Sequence, residues 1–319
     1  MSYADKVFKA IASDILDNGI SNKGEKVRTV WADTNEPAYT KKLFGYAVKY
    51  NLQKEFPAIT LRKTAIKSAL DEILWIYQKN SNNVHDLHSG IWDQWVDENG
   101  SIGKAYGYQV GKKFRVLKNV PMNKMDFDIR MCRDAEIREV KNNNENAHTL
   151  KRFVDLYMNQ MDYVLYMLKN EPFSRRIMIS LWSPEDLSDM ALAPCCWNVI
   201  FNVTLNKENK KVLNMQLTQR SSDFLAANNW NVTQYALLLM MVAQTVNMIP
   251  GQLLHIMTDV HIYDRHEDAI RELLTREEYP APKVILNPQV KNFYDFTTHD
   301  VRIEDYQFGE QIKNIPIAK

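Results

Sequence analysis

The chain has 319 residues, 45% hydrophobic and 25% charged, with forty basic against thirty-nine acidic side chains and a formal net charge of +1. This is the balance of a soluble globular protein with a sizeable core, and it gives no electrostatic footing for nucleic acid or an acidic membrane as the main partner. The longest apolar run, Tyr235 to Ala243, is too short to span a bilayer, and three cysteines, two of them adjacent, make a poor disulfide framework and point to a reducing cytoplasm.

In chain order, MSYADKVFKAIASDIL carries acids among its apolar residues and reads as an amphipathic helix, not a signal peptide. Ile66, Leu70, Ile73, Leu74 and Tyr77 recur at helical spacing and predict a helix over Thr64 to Gln78 with one buried face. From Lys112 to His148 the chain turns charged and Asn-rich, which predicts a partly mobile surface insertion. Arg176 to Trp182, Val199 to Leu205 and Val212 to Leu217 are short, β-branched or alternating, and bounded by turn signals, so they read as strands of one sheet. Val232 to Met248 is apolar nearly all round and predicts a buried helix packed on that sheet. Val260 to Asp264 reads as another short strand. With no Gly/Ser/Pro-rich linker and no internal repeat, the expectation is one α+β domain over residues 1–319, helices packed on a mixed sheet, with the excursion at about 112–148.

Chemistry-bearing residues interrupt this apolar pattern. Cys195 and Cys196 sit between Pro194 and Trp197, where a cysteine is either inert core or a nucleophile kept anionic by neighbouring cations. Arg175, Arg176 and Arg220 lie in or beside strand segments, with Arg28 a fourth candidate. Such arginines meet either carboxylates or phosphate oxygens, which guanidinium forks match bidentately. Asn231 stands where the apolar helix begins, and serves either as its N-cap or as a carboxamide that reads a heterocyclic edge. His261 and Tyr263 share one strand face and fit either a sugar hydroxyl or a half-exposed edge. Glu72, flanked by apolar residues, is either at the helix margin or a buried carboxylate able to shuttle protons near neutral pH. No His-x3-His or Cys-x2-Cys pair occurs, so no metal is expected.

The order VRT, DEILWIYQ, IWDQW, GKAYG, SRR, ALAPC, QRSSD, NNWN, HIYDRH resembles the folate-dependent, cysteine-nucleophile thymidylate synthases from Arg28 to the C-terminus, apart from the insertion. The resemblance implies transfer of a methylene group from 5,10-methylenetetrahydrofolate to C5 of dUMP, followed by hydride from the folate, giving dTMP and dihydrofolate. It makes Cys195 the nucleophile toward uracil C6, and leaves Cys196, where many members have His, without a catalytic role. Arg28, Arg220 and Ser221 would hold the dUMP phosphate. Arg175 and Arg176 would reach it from the second subunit of a homodimer built on a sheet face. Asn231 would read uracil O4 and N3, and His261 and Tyr263 the 3'-hydroxyl. Glu72 would organise the water network that moves protons, with Tyr106 near the departing C5 proton. Trp92, Trp95 and Asp223 would contact the folate, and the tail containing Ala318 would close over it.

The chain departs from the common family pattern in four places. It has ANNWN in place of Gly-x-Pro-Phe-Asn, Ile200 in place of a Gln, Lys319 in place of an apolar last residue, and no Asp-Arg-Thr-Gly in the early loop. Polar Asn228 and Asn229 beside the base and the charged Lys319 keep a second reading open, a dUMP hydroxymethylase that adds water to the exocyclic methylene. Retained Trp92 and Trp95 favour hydride transfer. A third reading, RNA binding through the arginines, is disfavoured by the near-zero net charge.

Overall fold

The computed structural model describes residues 1–122, 129–140 and 153–319. Its centre is a six-stranded mixed sheet in the order β1-β2-β9-β8-β7-β6, formed by β1 (Ile20–Ser21), β2 (Thr40–Asn51), β6 (Met178–Ser180), β7 (Cys196–Leu205), β8 (Lys211–Asp223) and β9 (Ile249–Tyr263). All pairings are antiparallel except β8 with β9. A parallel pair needs a crossover, and α5 (Asn228–Thr245) supplies it, running back between the two strands.

Helix α5 is buried nearly all round, as its composition predicts. It begins at Asn228, four residues before the apolar pattern does, because the polar NNWN segment forms its first turn. Asn231 is therefore inside the helix, its N–H bonded to the Ala227 carbonyl at 2.9 Å, and it is not the N-cap. Helix α2 (Ile66–Tyr77) also differs from expectation. It is buried on almost every face, Asp71 and Glu72 included, because α5 packs against it within the core. Helix α1 (Tyr3–Asn18), capped by the Ser2 side chain, lays Ala4, Phe8, Ile11, Ala12 and Ile15 onto the same core. Its Asp5 is buried and bonds Thr60, tying α1 to the segment before α2.

Strand β2 has no counterpart among the sequence expectations, and β9 is far longer than Val260 to Asp264. Both alternate polar and apolar residues, with one face on the core. Nor is the 112–148 excursion a bare surface loop. Residues in β3 (Phe114–Pro121) and β4 (Glu136–Val140) flank the largely buried β5 (Phe153–Met158) in a three-stranded sheet. The expected mobility of residues 123–128 and 141–148 lies outside the described residues. Helices α3 (Gly107–Gly111), α4 (Gln160–Asn170) and α6 (Glu267–Thr275) and the antiparallel pair β10 (Lys283–Leu286) and β11 (Val301–Glu304) complete the α-helices and strands of the described residues.

Candidate active site

The adjacent cysteines separate at the start of β7. Cys196 is the first residue of the strand and packs into the main core, whereas Cys195, just outside it, is only half buried. The β7–β8 register shifts between Cys196 and Asn198, an irregularity of the kind that re-aims a strand end. Arg220, on β8, pins the loop before Cys195. Its Nε donates to the Pro194 carbonyl at 3.0 Å, its Nη2 to the Ala193 carbonyl at 2.7 Å, and its backbone N–H to the Cys195 carbonyl at 2.9 Å. The same Nη2 lies 3.7 Å from the Cys195 sulfur. Burial pushes the Cys195 thiol pKa up, Arg220 and then Arg28 pull it down, and Asp223 opposes them. At Cys196 burial and the neighbouring Cys195 and Glu72 outweigh a bond to Tyr235 and a weaker pull from Arg220, and its pKa is driven far higher. One cysteine has cations near its sulfur, and the other is core.

Tyr106 stands over Cys195 with its hydroxyl accepting the Cys195 N–H at 3.2 Å. Its backbone has φ of 44°, a left-handed conformation that costs an aromatic residue about 1–3 kcal/mol and persists only where the surroundings enforce it. The following Gly107 makes the approach possible, since a Cβ there would fall 2.0 Å from the Ser81 carbonyl oxygen. The Tyr106 ring packs edge-on against Trp92 at 5.0 Å, and Trp92 against Trp95 at 5.7 Å.

Glu72 is buried beside this aromatic group. Its Oε1 accepts from the Trp92 indole at 2.9 Å and its Oε2 from the Trp230 indole at 2.6 Å. Burial raises its pKa to about 7, against the lowering effect of both indoles and of the Gln234 amide. A carboxyl so placed is half protonated near neutral pH, as a proton shuttle needs to be.

Asn231 is oriented by a chain of buried amides. Gln219 Nε2 donates both to the Ser221 carbonyl at 2.9 Å and to Asn231 Oδ1 at 3.0 Å, while Asn231 Nδ2 donates to Gln234 Oε1 at 3.1 Å. The backbone carbonyl can only accept, so it fixes which end of Gln219 is the amine and hence which end of Asn231 is the oxygen. His255 completes the chain with its Nε2 2.7 Å from Gln219 Oε1. Asn228 and Asn229 do not open toward a base. Asn229 is committed to Pro57, Ile59 and Thr64, and Asn228 to Ser222 and Met257.

At the C-terminal ends of the parallel strands, Ser221 pairs with Asp259 and Asp223 with His261. His261 and Tyr263 are brought together as their spacing predicts, rings 5.1 Å apart, with His261 Nδ1 2.8 Å from Asp259. Burial raises the Asp223 carboxyl, but His266, 3.7 Å away, together with His261 and the Ala226 N–H, holds the group below its ordinary pKa. Ala318 bridges to Trp31, so the tail lies against the site, next to Tyr263. Arg28 is exposed near the Cys195 sulfur, on which it acts electrostatically.

Arg175 and Arg176 are not brought to this group. The pairing Met178↔Ile200 puts Arg176 opposite position 202, roughly seven residues and about 23 Å along β7 from Cys195. Among the described residues neither arginine has a carboxylate partner. Sequence reasoning also missed Trp230, Gln219, His255 and His266, which support the other side chains. His255, a polar residue inside the apolar run LLHIM, carried a local signal, whereas Gln219, Trp230 and His266 lie among polar neighbours that conceal them.

A family model described as thymidylate synthase matches residues 6–318. The chain is 37% identical over 315 residues to the thymidylate synthase of Bacillus licheniformis and 36% identical to thymidylate synthase 1 of Bacillus subtilis, with 98% of each chain covered. It superposes on the solved structure of thermostable thymidylate synthase A from Bacillus subtilis with a TM-score of 0.80 at 34% identity, both chains fully covered. Similarity on that scale extends over nearly the whole chain, and the chain belongs to the thymidylate synthase family.

Proposed function

We propose that the protein converts dUMP to dTMP with 5,10-methylenetetrahydrofolate as one-carbon donor, releasing dihydrofolate. The observation that carries the reading is the Cys195 sulfur beside the Arg220 guanidinium, 3.7 Å away, in a site that also holds a buried carboxyl poised near neutrality. Arg28, Arg220 and Ser221 bind the phosphate, and His261 and Tyr263 the ribose hydroxyl. Asn231 keeps one lone pair and one N–H beyond its internal bonds, which matches uracil N3–H and O4 and mismatches a cytosine edge. An unpaired buried group there costs about 1–3 kcal/mol. The Cys195 thiolate bonds to C6, the C5–C6 pair moves toward C5 and O4, and C5 becomes the nucleophile.

Trp92, Trp95 and Asp223 suit a reduced folate, with the partly exposed Trp95 indole, backed by the buried Trp92, for its rings and an ionised carboxylate for its N–H groups. When bound it supplies the one-carbon unit and the hydride that completes the methyl group. Tyr106, whose hydroxyl stays protonated because burial lifts its pKa well above the ordinary value, relays the C5 proton and is not itself the base. Glu72 exchanges protons with the water around it, and loss of the C6–sulfur bond releases the product. The site is completed in a homodimer by Arg175 and Arg176 of the second subunit. We place all of this in one catalytic domain and, from three free cysteines, in the cytoplasm.

Asn228 and Asn229 are committed to protein groups, so nothing in the site favours the hydroxymethylase reading. Enzyme incubated with dUMP and methylenetetrahydrofolate should give equal dTMP and dihydrofolate by mass spectrometry. Cys195→Ser should give neither, and Cys196→Ala should retain both. Hydroxymethyl-dUMP with tetrahydrofolate would replace this reading.

A further inference from the structure

Glu72 is a buried carboxylate with no lysine or arginine ion pair among the described residues. What opposes its charge is burial and the Asp71 carboxylate beside it on α2. Tyr106 and Cys196, which face it from the loop before α3 and from β7, stay protonated and neutral. Asp71 itself turns away to the His88 N–H and ring. What favours the charged form is neutral. One indole N–H reaches each carboxylate oxygen, and the Gln234 amide approaches from α5.

Trp230 supplies the shorter of the two indole bonds, 2.6 Å, from the first turn of α5. The next residue is Asn231, so a single helical turn aims one side chain at the carboxylate and the other at the amide chain that reads the base. The common family pattern places Phe where this chain has Trp230, and a phenyl ring has no N–H to donate. The ANNWN departure therefore adds a hydrogen-bond donor at the proton-handling group.

We propose that Trp230 is a positioning residue of the one-carbon transfer, which with Trp92 clamps the Glu72 carboxylate between two indole N–H groups and favours its charged form. The proposal rests on the reading of Glu72 as the group that exchanges protons with the site. A donor to the anion favours the anion, so its removal moves protonation of Glu72 to higher pH. The direction is the same whether turnover needs the acid or the carboxylate, because the limb of the rate profile set by Glu72 moves with the group.

Two measurements test it. In the intact enzyme labelled with ¹⁵N-tryptophan, the Trp230 indole resonance should titrate in the wild type and stop titrating in Glu72→Gln. In Trp230→Phe, the Glu72-dependent limb of the kcat profile should move up by about one to two pH units, the worth of one bond to a charged acceptor. KM for dUMP should stay within about twofold, because Trp230 bonds Glu72 and not the nucleotide. A uniform loss of kcat with an unmoved limb, or an indole that does not titrate, overturns the assignment. The indole titration decides the matter alone if Trp230→Phe does not fold. If Glu72→Gln instead turns over dUMP like the wild type, the reading of Glu72 has failed, which is a separate result.

Discussion

His266 Nε2 lies 2.8 Å from the Pro316 carbonyl oxygen, and the Nδ1 of the same ring lies 3.7 Å from the Asp223 carboxylate. The second distance is that of an ion pair too long for a hydrogen bond, so the ring holds the tail firmly and Asp223 by charge. Burial alone would lower the His266 pKa, but Asp223, with the Pro316 carbonyl and Asp264, more than reverses this, and the ring donates as a cation over a wider pH range than a free imidazole. The tail is fixed at two further points, with Val30 exchanging backbone bonds with Lys319 and the Ala32 N–H bonded to the Ile317 carbonyl. One imidazole thus links the closing tail to the carboxylate proposed to meet the folate.

His266→Phe keeps a ring against Trp31 and Tyr263, 5.6 and 5.5 Å away, and removes the bond to the tail. KM for methylenetetrahydrofolate should rise roughly tenfold, the worth of one hydrogen bond of about 1.5 kcal/mol, while dUMP affinity stays unchanged. Steady-state kinetics in both substrates check this. An unchanged folate KM would mean that the pairing with Val30 and Ala32 is sufficient to close the tail.

Glu72 trades stability for function. Its pKa is about 7 in the fold against 4.5 as an ordinary side chain. A raised acid contributes stability that is fully present below pH 4.5 and is lost as pH rises through 7. The stability of the wild type relative to Glu72→Gln should therefore fall by roughly 3 kcal/mol between pH 4.5 and 8. Any fixed cost of placing an amide between two indoles cancels in that difference. Turnover in the variant should drop by about 10²–10⁴. Urea unfolding at the two pH values gives the first quantity, and a flat difference would show that Glu72 is ionised in both states.

The residues expected to touch ligands were legible because arginine, asparagine, histidine and glutamate are conspicuous inside apolar segments, and because their order matches a family. The next layer was not. Trp230 stands in the polar NNWN segment ahead of the apolar run, and its partner is 158 positions away. His255 and Gln219 sit 36 positions apart on strands whose parallel register no local pattern announces. Strand β2 was missed because Lys41, Lys42 and Lys49 break its apolar run, although alternation with Tyr46, Val48 and Tyr50 is the signature of a half-buried strand. In α5, the nearly continuous apolar run marked the buried length but not the polar first turn, where the site begins.

His255 carries an acid liability. It is fully buried, and burial pushes its pKa down to about 3. A depressed histidine contributes stability that is present above its unfolded pKa near 6.5 and is lost as pH falls toward 3. This one residue should cost roughly 3 kcal/mol by pH 4. His255→Gln can keep a donor toward Gln219 without a basic group, so its melting temperature should fall less steeply than that of the wild type between pH 6.5 and 4. Scanning calorimetry across that window measures it, and parallel curves would place the acid sensitivity elsewhere.

The position of Arg175 and Arg176 makes a prediction that depends on subunit exchange. The β6–β7 register sets them about 23 Å from the Cys195 of their own chain, at the edge of the sheet. If they serve the phosphate site of a second subunit, two inactive proteins should restore one another. Arg175→Glu/Arg176→Glu keeps its thiol and loses the arginines it lends, whereas Cys195→Ser keeps the arginines and loses its thiol. In a mixed dimer the intact thiol sits opposite intact arginines, so one of the two sites works. Unfolded together and refolded in equal amounts, the pair should form half its dimers as hybrids and recover about a quarter of wild-type dTMP formation, each hybrid having one good site. Arginines that acted within their own chain would leave every combination inactive, because no chain in the mixture carries both an intact thiol and intact arginines.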